Sequence, residues 1–167
     1  MTMDSKKQTD AQSEQVSCSS DREIVISRHL GAPRELVWKA WTHPEHIAHW
    51  WGPEGFTTTT ETMEVRPGGV WRFVMHAPNG MDFRNYVRYV EVVRPERLVY
   101  LHGEDEDHIE FEVTVTFVER DGGTEVTLRQ LYETAEARDR SIHEVGAIEG
   151  GRQTLARLAA YLETMQG

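Results

Sequence analysis

The chain has 167 residues, 38% of them hydrophobic and 28% charged, with a formal net charge of −10. That length suits one domain with a real core, and the acidic balance argues against nucleic acid and against an anionic membrane surface as partners. No apolar run is long enough to span a bilayer and no charged-then-apolar leader follows Met1, so membrane insertion is not expected. The single cysteine, Cys18, excludes an intramolecular disulfide framework. It fits a reducing compartment, so a cytoplasmic location is the expectation.

Residues 1–21 contain one valine and no aromatic residue. Such a segment buries too little apolar surface to offset its ordering entropy, so it reads as a disordered tail before a single domain at 22–167. Cys18 lies in that tail, without the positioned base a nucleophile needs. Glu23 to Leu30 is β-rich and is stopped by Gly31-Ala32-Pro33. Pro33 then opens a helix with Leu36, Val37, Ala40 and Trp41 on one face, and Pro44 opens a second short one reaching Trp51.

From Phe56 to Tyr132 the signal is strand after strand: Phe56–Val65, Val70–Ala77, Met81–Val93, Arg97–His102, a strand through Phe111, Val113, Val115 and Phe117, and Thr124–Leu131. Pro67-Gly68-Gly69, Asn79-Gly80 and Asp121-Gly122-Gly123 supply turns, and Gly103 to Asp107 reads as an acidic loop. Strands joined by tight turns are antiparallel. Helical signal then runs from Arg138 to Gln166, with an apolar stripe at Val145, Ile148, Leu155, Leu158, Ala159 and Leu162. Gly150 and Gly151 interrupt that stripe, each costing about 1 kcal/mol relative to alanine in a helix. The fold class is therefore α+β: a curved antiparallel sheet of about seven strands gripping a long C-terminal helix, with two short helices after the first strand. A cavity is expected between sheet and helix, bordered by Gly151 and facing Phe111, Val113 and Val115.

The stretches Ala32-Pro33-Arg34-Glu35-Leu36-Val37-Trp38, Trp41-Thr42-His43-Pro44-Glu45-His46 and Trp50-Trp51-Gly52-Pro53 carry a resemblance. So do Arg66-Pro67-Gly68-Gly69, Pro95 to Tyr100, Gly123 to Leu128, and Gly146 to Gly151 leading into Gln153 to Leu158. In this order and spacing they resemble the START-like helix-grip (SRPBCC) superfamily, in the branch named after the activator of the heat-shock protein 90 ATPase. The resemblance covers Arg22 to Leu162. It implies an apolar pocket between sheet and helix for lipids, sterols, flavonoids or polyketide-like molecules, and in some members cyclase or aromatase activity. Many relatives have tryptophan where this chain has Gly151, which implies either a roomier pocket or another aromatic ring filling that space.

Other constellations are weaker. His43, His46 and His49 are spaced by three, but on one helix the first and last point about 120° apart, so they do not converge on a metal. Glu104 to Asp107 lacks the glycine and terminal glutamate of a calcium loop. Ser141, His143 and Glu144 form no triad motif, and no phosphate-binding loop is present. No metal and no cofactor are expected. On the long strand, Phe83, Asn85, Val87, Tyr89 and Glu91 share the face taken as inward, with Arg84, Tyr86 and Arg88 outward. A buried Glu91 would have a raised pKa.

The function expected is binding of a small apolar ligand by Trp50, Trp51, Phe73, Met75, Phe83, Val87, Tyr89, Phe111, Val113, Val115, Gly151 and Leu155, without catalysis. The alternative is a cyclase or aromatase using Glu91 with Tyr89 or His76, although His76 falls on the outward set. A third reading, a chaperone ATPase co-regulator, follows only from the branch name, and no chaperone-binding surface is visible in the sequence.

Overall fold

The computed structural model describes residues 14–17 and 20–166. Cys18 and residues 1–13 of the expected tail lie outside them. Eight strands form one antiparallel sheet: β1 (Glu14–Ser17), β2 (Glu23–Leu30), β3 (Thr57–Met63), β4 (Val70–His76), β5 (Asp82–Val93), β6 (Arg97–Asp105), β7 (His108–Arg120) and β8 (Gly123–Tyr132). Their spatial order is β1-β2-β8-β7-β6-β5-β4-β3. The seven strands read from the sequence are all present. The eighth, β1, falls within the stretch read as tail, where it pairs Val16 with Ile26 at the edge of β2. Its only large apolar side chain, Val16, is 40% exposed, so backbone pairing and not burial makes the strand, which a hydrophobicity argument does not detect.

The helices are α1 (Arg34–Thr42), α2 (Pro44–Ile47), α3 (Ala135–Arg140) and α4 (Ala147–Gln166), with a π-helical turn at Ser141–Val145 between the last two. Pro33 sits just before α1, and its carbonyl accepts from the Leu36 and Val37 amides. The α1 face of Val37, Trp38, Ala40 and Trp41 is buried. Helix α2 ends at Ile47, earlier than the sequence suggested, and the chain turns there, the Trp50 and Trp51 amides donating to the Ile47 carbonyl. Gly146 adopts φ +72°, the left-handed region open to glycine, and this breaks the helical run before α4.

Side-chain alternation along the strands sets the core. Trp71 and Phe73 on β4, Val87 and Tyr89 on β5, Leu98 and Tyr100 on β6, and Val113, Val115 and Phe117 on β7 are all buried against α1 and the C-terminal half of α4. The acidic stretch at Glu104-Asp105 is not a loop: β6 continues through Asp105, and the turn to β7 lies at Glu106-Asp107. No helix among the described residues is long and apolar enough to cross a membrane.

Candidate functional site

The space between sheet and helix divides into two regions. Beneath α1 and α2 it is filled by aromatic rings. Trp41 meets Trp50, Trp51 and Phe117 edge-on, at centroid distances of 4.9, 6.2 and 5.5 Å. Trp51 meets Trp71 at 5.1 Å, and Trp71 stacks on Phe73 at 3.8 Å. These are the favoured quadrupole geometries for buried rings. The indole N–H groups find acceptors: Trp50 Nε1 donates to the Ala40 carbonyl at 3.1 Å, and Trp71 Nε1 to Thr60 Oγ1 at 3.1 Å.

At the other end the space stays open. A cleft of about 1250 Å³ lies between the start of α4 and the ends of β4–β7. Phe56, Met75, Phe83, Val145 and Pro53 give it apolar walls, and Asn85 and Gln153 add polar groups. Phe83 and Val145 are 44% and 78% exposed, although both are large and apolar. Gly146 and Gly150 form the helical side of the cleft, and Glu149 and Gln153 stand on the same turns of α4.

The sequence positions these walls through three local features. The π-turn widens the backbone at Ser141–Val145, and Tyr132 on β8 pins it by a 2.8 Å hydroxyl contact to Ser141. On α4, Arg157 Nη1 donates to the carbonyls of Gly52 and Pro53 at 2.9 and 3.0 Å, while Gln153 Oε1 accepts from the Glu54 amide at 3.1 Å. Together they hold the Gly52–Phe56 segment at the mouth. Gly150 has no side chain over Pro53, so the helix leaves that wall open.

At the boundary of the two regions lies His102 on β6. It neighbours the Phe73 and Phe111 rings at 6.0 and 4.9 Å, and its Nε2 is 2.9 Å from Asn85 Oδ1. Burial pushes its pKa down to about 4, so it is neutral at ordinary pH and donates through Nε2. The buried Tyr89 and Tyr100 hydroxyls are pushed up, by desolvation first, and stay protonated.

Of the ligand contacts expected from the sequence, Met75 and Phe83 line the cleft, and so does Asn85. Trp50, Trp51, Phe73, Val87, Tyr89, Val113, Val115 and Leu155 lie instead in the closed core. The strand residues among them do point inward, and the tryptophans of α1 and of the turn after α2 fill the space they point into. Phe111 is partly buried against that core and stacks toward Tyr132 at 5.0 Å. Gly151 does not face β7: a Cβ on it would come 2.5 Å from Ile26 Cδ1 of β2, so this glycine permits close helix–sheet packing, and its neighbour Gly150 borders the cleft.

Glu91 is not an inward group. A bulge at Val90 shifts the register between Tyr89 and Glu91, which sends the carboxylate to the outer face. There Arg97 Nε donates to Glu91 Oε1 at 2.7 Å and Nη2 donates to the same oxygen. Tyr89 inside and Glu91 outside do not form an acid–base pair. His76 is also outward, between Asp82 at 2.7 Å and Thr59 at 2.8 Å. The three histidines after α1 pack surfaces together: His46 shares a 2.7 Å hydrogen bond with the Tyr161 hydroxyl, His49 stacks on the Tyr161 ring, and His43 Nδ1 donates to the Lys39 carbonyl. Phe56, Val145, Gly146 and Gly150 were missed as lining residues; the paired breaks at Gly146 and Gly150 were the available signal.

The chain resembles several solved structures over nearly its whole length. Protein Ms6760 from Mycobacterium smegmatis shares 28% identity at a TM-score of 0.83, covering 90% of this chain and 98% of that one. A protein from Rhodobacter sphaeroides shares 26% at 0.79, covering 90% and 98%. CV1439 from Chromobacterium violaceum shares 28% at 0.72, covering 83% and 95%. No curated protein matches in sequence. The model of the family described as Activator of Hsp90 ATPase homolog 1-like protein matches residues 31–163, which span both short helices, the sheet from β3 to β8 and the helix over the cleft; the chain belongs to that family.

Proposed function

We propose that this protein binds a small apolar molecule in the cleft between the N-terminal half of α4 and the ends of β4–β7. The observation that carries this reading is the cleft itself: about 1250 Å³ walled by Phe56, Met75, Phe83 and Val145. Exposed apolar walls cost hydration free energy, and an occupant that covers them recovers about 25 cal/mol per Å². Asn85, held by His102, and Gln153 offer the few polar groups that orient a ligand in such sites. The reading is one of binding without chemistry.

Thermal-shift screening against fatty acids, sterols, flavonoids and polyketides tests it. A ligand at about 100 times its Kd adds about 2.7 kcal/mol, a rise of roughly 5–10 °C for a domain of this size. The expected result is a shift with one class that is abolished by Gly150→Phe, a substitution that fills the cleft from the helix. Absence of a shift with every class would overturn the reading.

A further inference from the structure

We infer that the ligand of this cleft is an organic cation: an apolar body carrying a positively charged nitrogen. The inference rests on the binding role proposed above and adds the charge of the ligand. Among the described residues, five carboxylates stand around the apolar walls, Asp82, Glu104, Glu110, Glu144 and Glu149, against one cation, Arg84. Two of the five have a partner: Asp82 shares a 2.7 Å hydrogen bond with His76, and Glu149 pairs with Arg152 at 3.3 Å. Arg84 lies toward Glu61 at 3.9 Å and is 77% exposed, so it does not neutralise the others.

Glu104, Glu110 and Glu144 have no ion-pair or hydrogen-bond partner among the described residues. They come from three separate elements, β6, β7 and the π-turn, which the fold brings to one mouth. Like charges gathered beside low-dielectric walls concentrate a negative potential in the cleft. The Glu110 carboxyl is held above the usual range, by burial first and by the neighbouring Glu104 second. The apolar walls and the charge are independent observations. Walls alone would admit any apolar molecule; the uncompensated rim disfavours the fatty-acid class, whose carboxylate it repels, and attracts an amine or quaternary ammonium.

Three fluorescent probes with one ring system separate shape from charge: 9-(methylaminomethyl)anthracene, 9-anthracenemethanol and 9-anthracenecarboxylate, cationic, neutral and anionic at neutral pH. Titrated into the full chain, the cation is expected to bind at least about tenfold tighter than the carboxylate, with the ratio shrinking as salt is raised. In the triple variant Glu104→Gln/Glu110→Gln/Glu144→Gln the ratio should collapse toward one while the neutral alcohol keeps its affinity. These side chains are at the surface, so the variant should fold, and its melting temperature and circular dichroism check that. Equal affinities for all three probes, or a cation preference that survives in the triple variant, would overturn the charge assignment and leave the binding role standing. If no probe binds the wild-type chain, the charge assignment falls, and the thermal-shift screen decides the binding role separately.

Discussion

The two halves of α4 meet the same sheet in opposite ways. From Leu155 onward α4 presents Leu155, Leu158 and Leu162, all buried, to a space already filled by tryptophan and phenylalanine rings. Its first turns present Glu149, Gly150 and Gln153, with Gly146 just before them, to a cleft whose walls include exposed Phe83 and Val145. One helix therefore serves as core for part of its length and as one side of an open cleft for the rest. The difference lies in what faces it. The tryptophans of α1 and of the turn after α2 reach only one end of the sheet, and at the other end nothing among the described residues takes their place.

Substitutions that treat the two regions alike should give unlike results. Trp71→Ala removes a ring that is 2% exposed and should cost about 3–5 kcal/mol of stability in urea denaturation. Phe83→Ala removes a ring that is 44% exposed and should cost under about 1 kcal/mol. Equal losses at the two positions would mean that the cleft walls are ordinary core, and the division would fail.

His102 sits where the regions meet, and its protonation sharpens the boundary. The folded-state pKa lies at about 4, below the 6.5 of the unfolded chain. Between those values the unfolded chain takes up a proton that the folded one refuses, so stability is present above pH 6.5 and is lost as pH falls toward 4. Wild type should lose up to about 3 kcal/mol more than His102→Gln across that window. Parallel stability curves for the two proteins would show that this ring is open to water, and the cleft would then extend past it.

A smaller effect separates adjacent glycines. A Cβ at Gly150 would meet Pro53 Cγ at 3.5 Å, an ordinary contact, so Gly150→Ala should raise stability by about 1 kcal/mol through helix propensity. At Gly151 the new Cβ would lie 2.5 Å from Ile26 Cδ1, a fully buried side chain, and the repacking should cancel that gain or exceed it. Melting curves of the two variants should therefore move differently. A gain at Gly151 equal to that at Gly150 would show that the helix is not seated on β2 there.

Much of the fold was legible in the sequence because its signals are local. Asn79-Gly80 and Asp121-Gly122 mark turns, alternation through Phe111 to Phe117 marks a half-buried strand, and Pro33 and Pro44 open helices. Phe73, read from the sequence as pointing into the space between sheet and helix, is buried. The site was less legible, since an inward side chain on a strand has the same pattern whether it meets a void or a ring from elsewhere. Trp50, Trp51, Tyr89 and Val113 point as expected, but only three-dimensional packing shows that they meet one another. Glu91 was misplaced by one unmarked residue of bulge at Val90, which reverses every face beyond it. Gly146 and Gly150 do carry the position of the cleft, as breaks in a helix that needs none for its own stability. What they could not give was which of the adjacent glycines, 150 or 151, meets open space.

Chemical-shift mapping with 9-anthracenemethanol tests the division most directly, because an anthracene ring shifts only nuclei beside it. The Met75 methyl, the Val145 methyls and the Gly150 amide should move on titration, while the indole N–H resonances of Trp41, Trp50 and Trp71 stay in place. Movement of those indoles, with the Gly150 and Val145 signals unchanged, would place the ligand in the aromatic core and contradict the account.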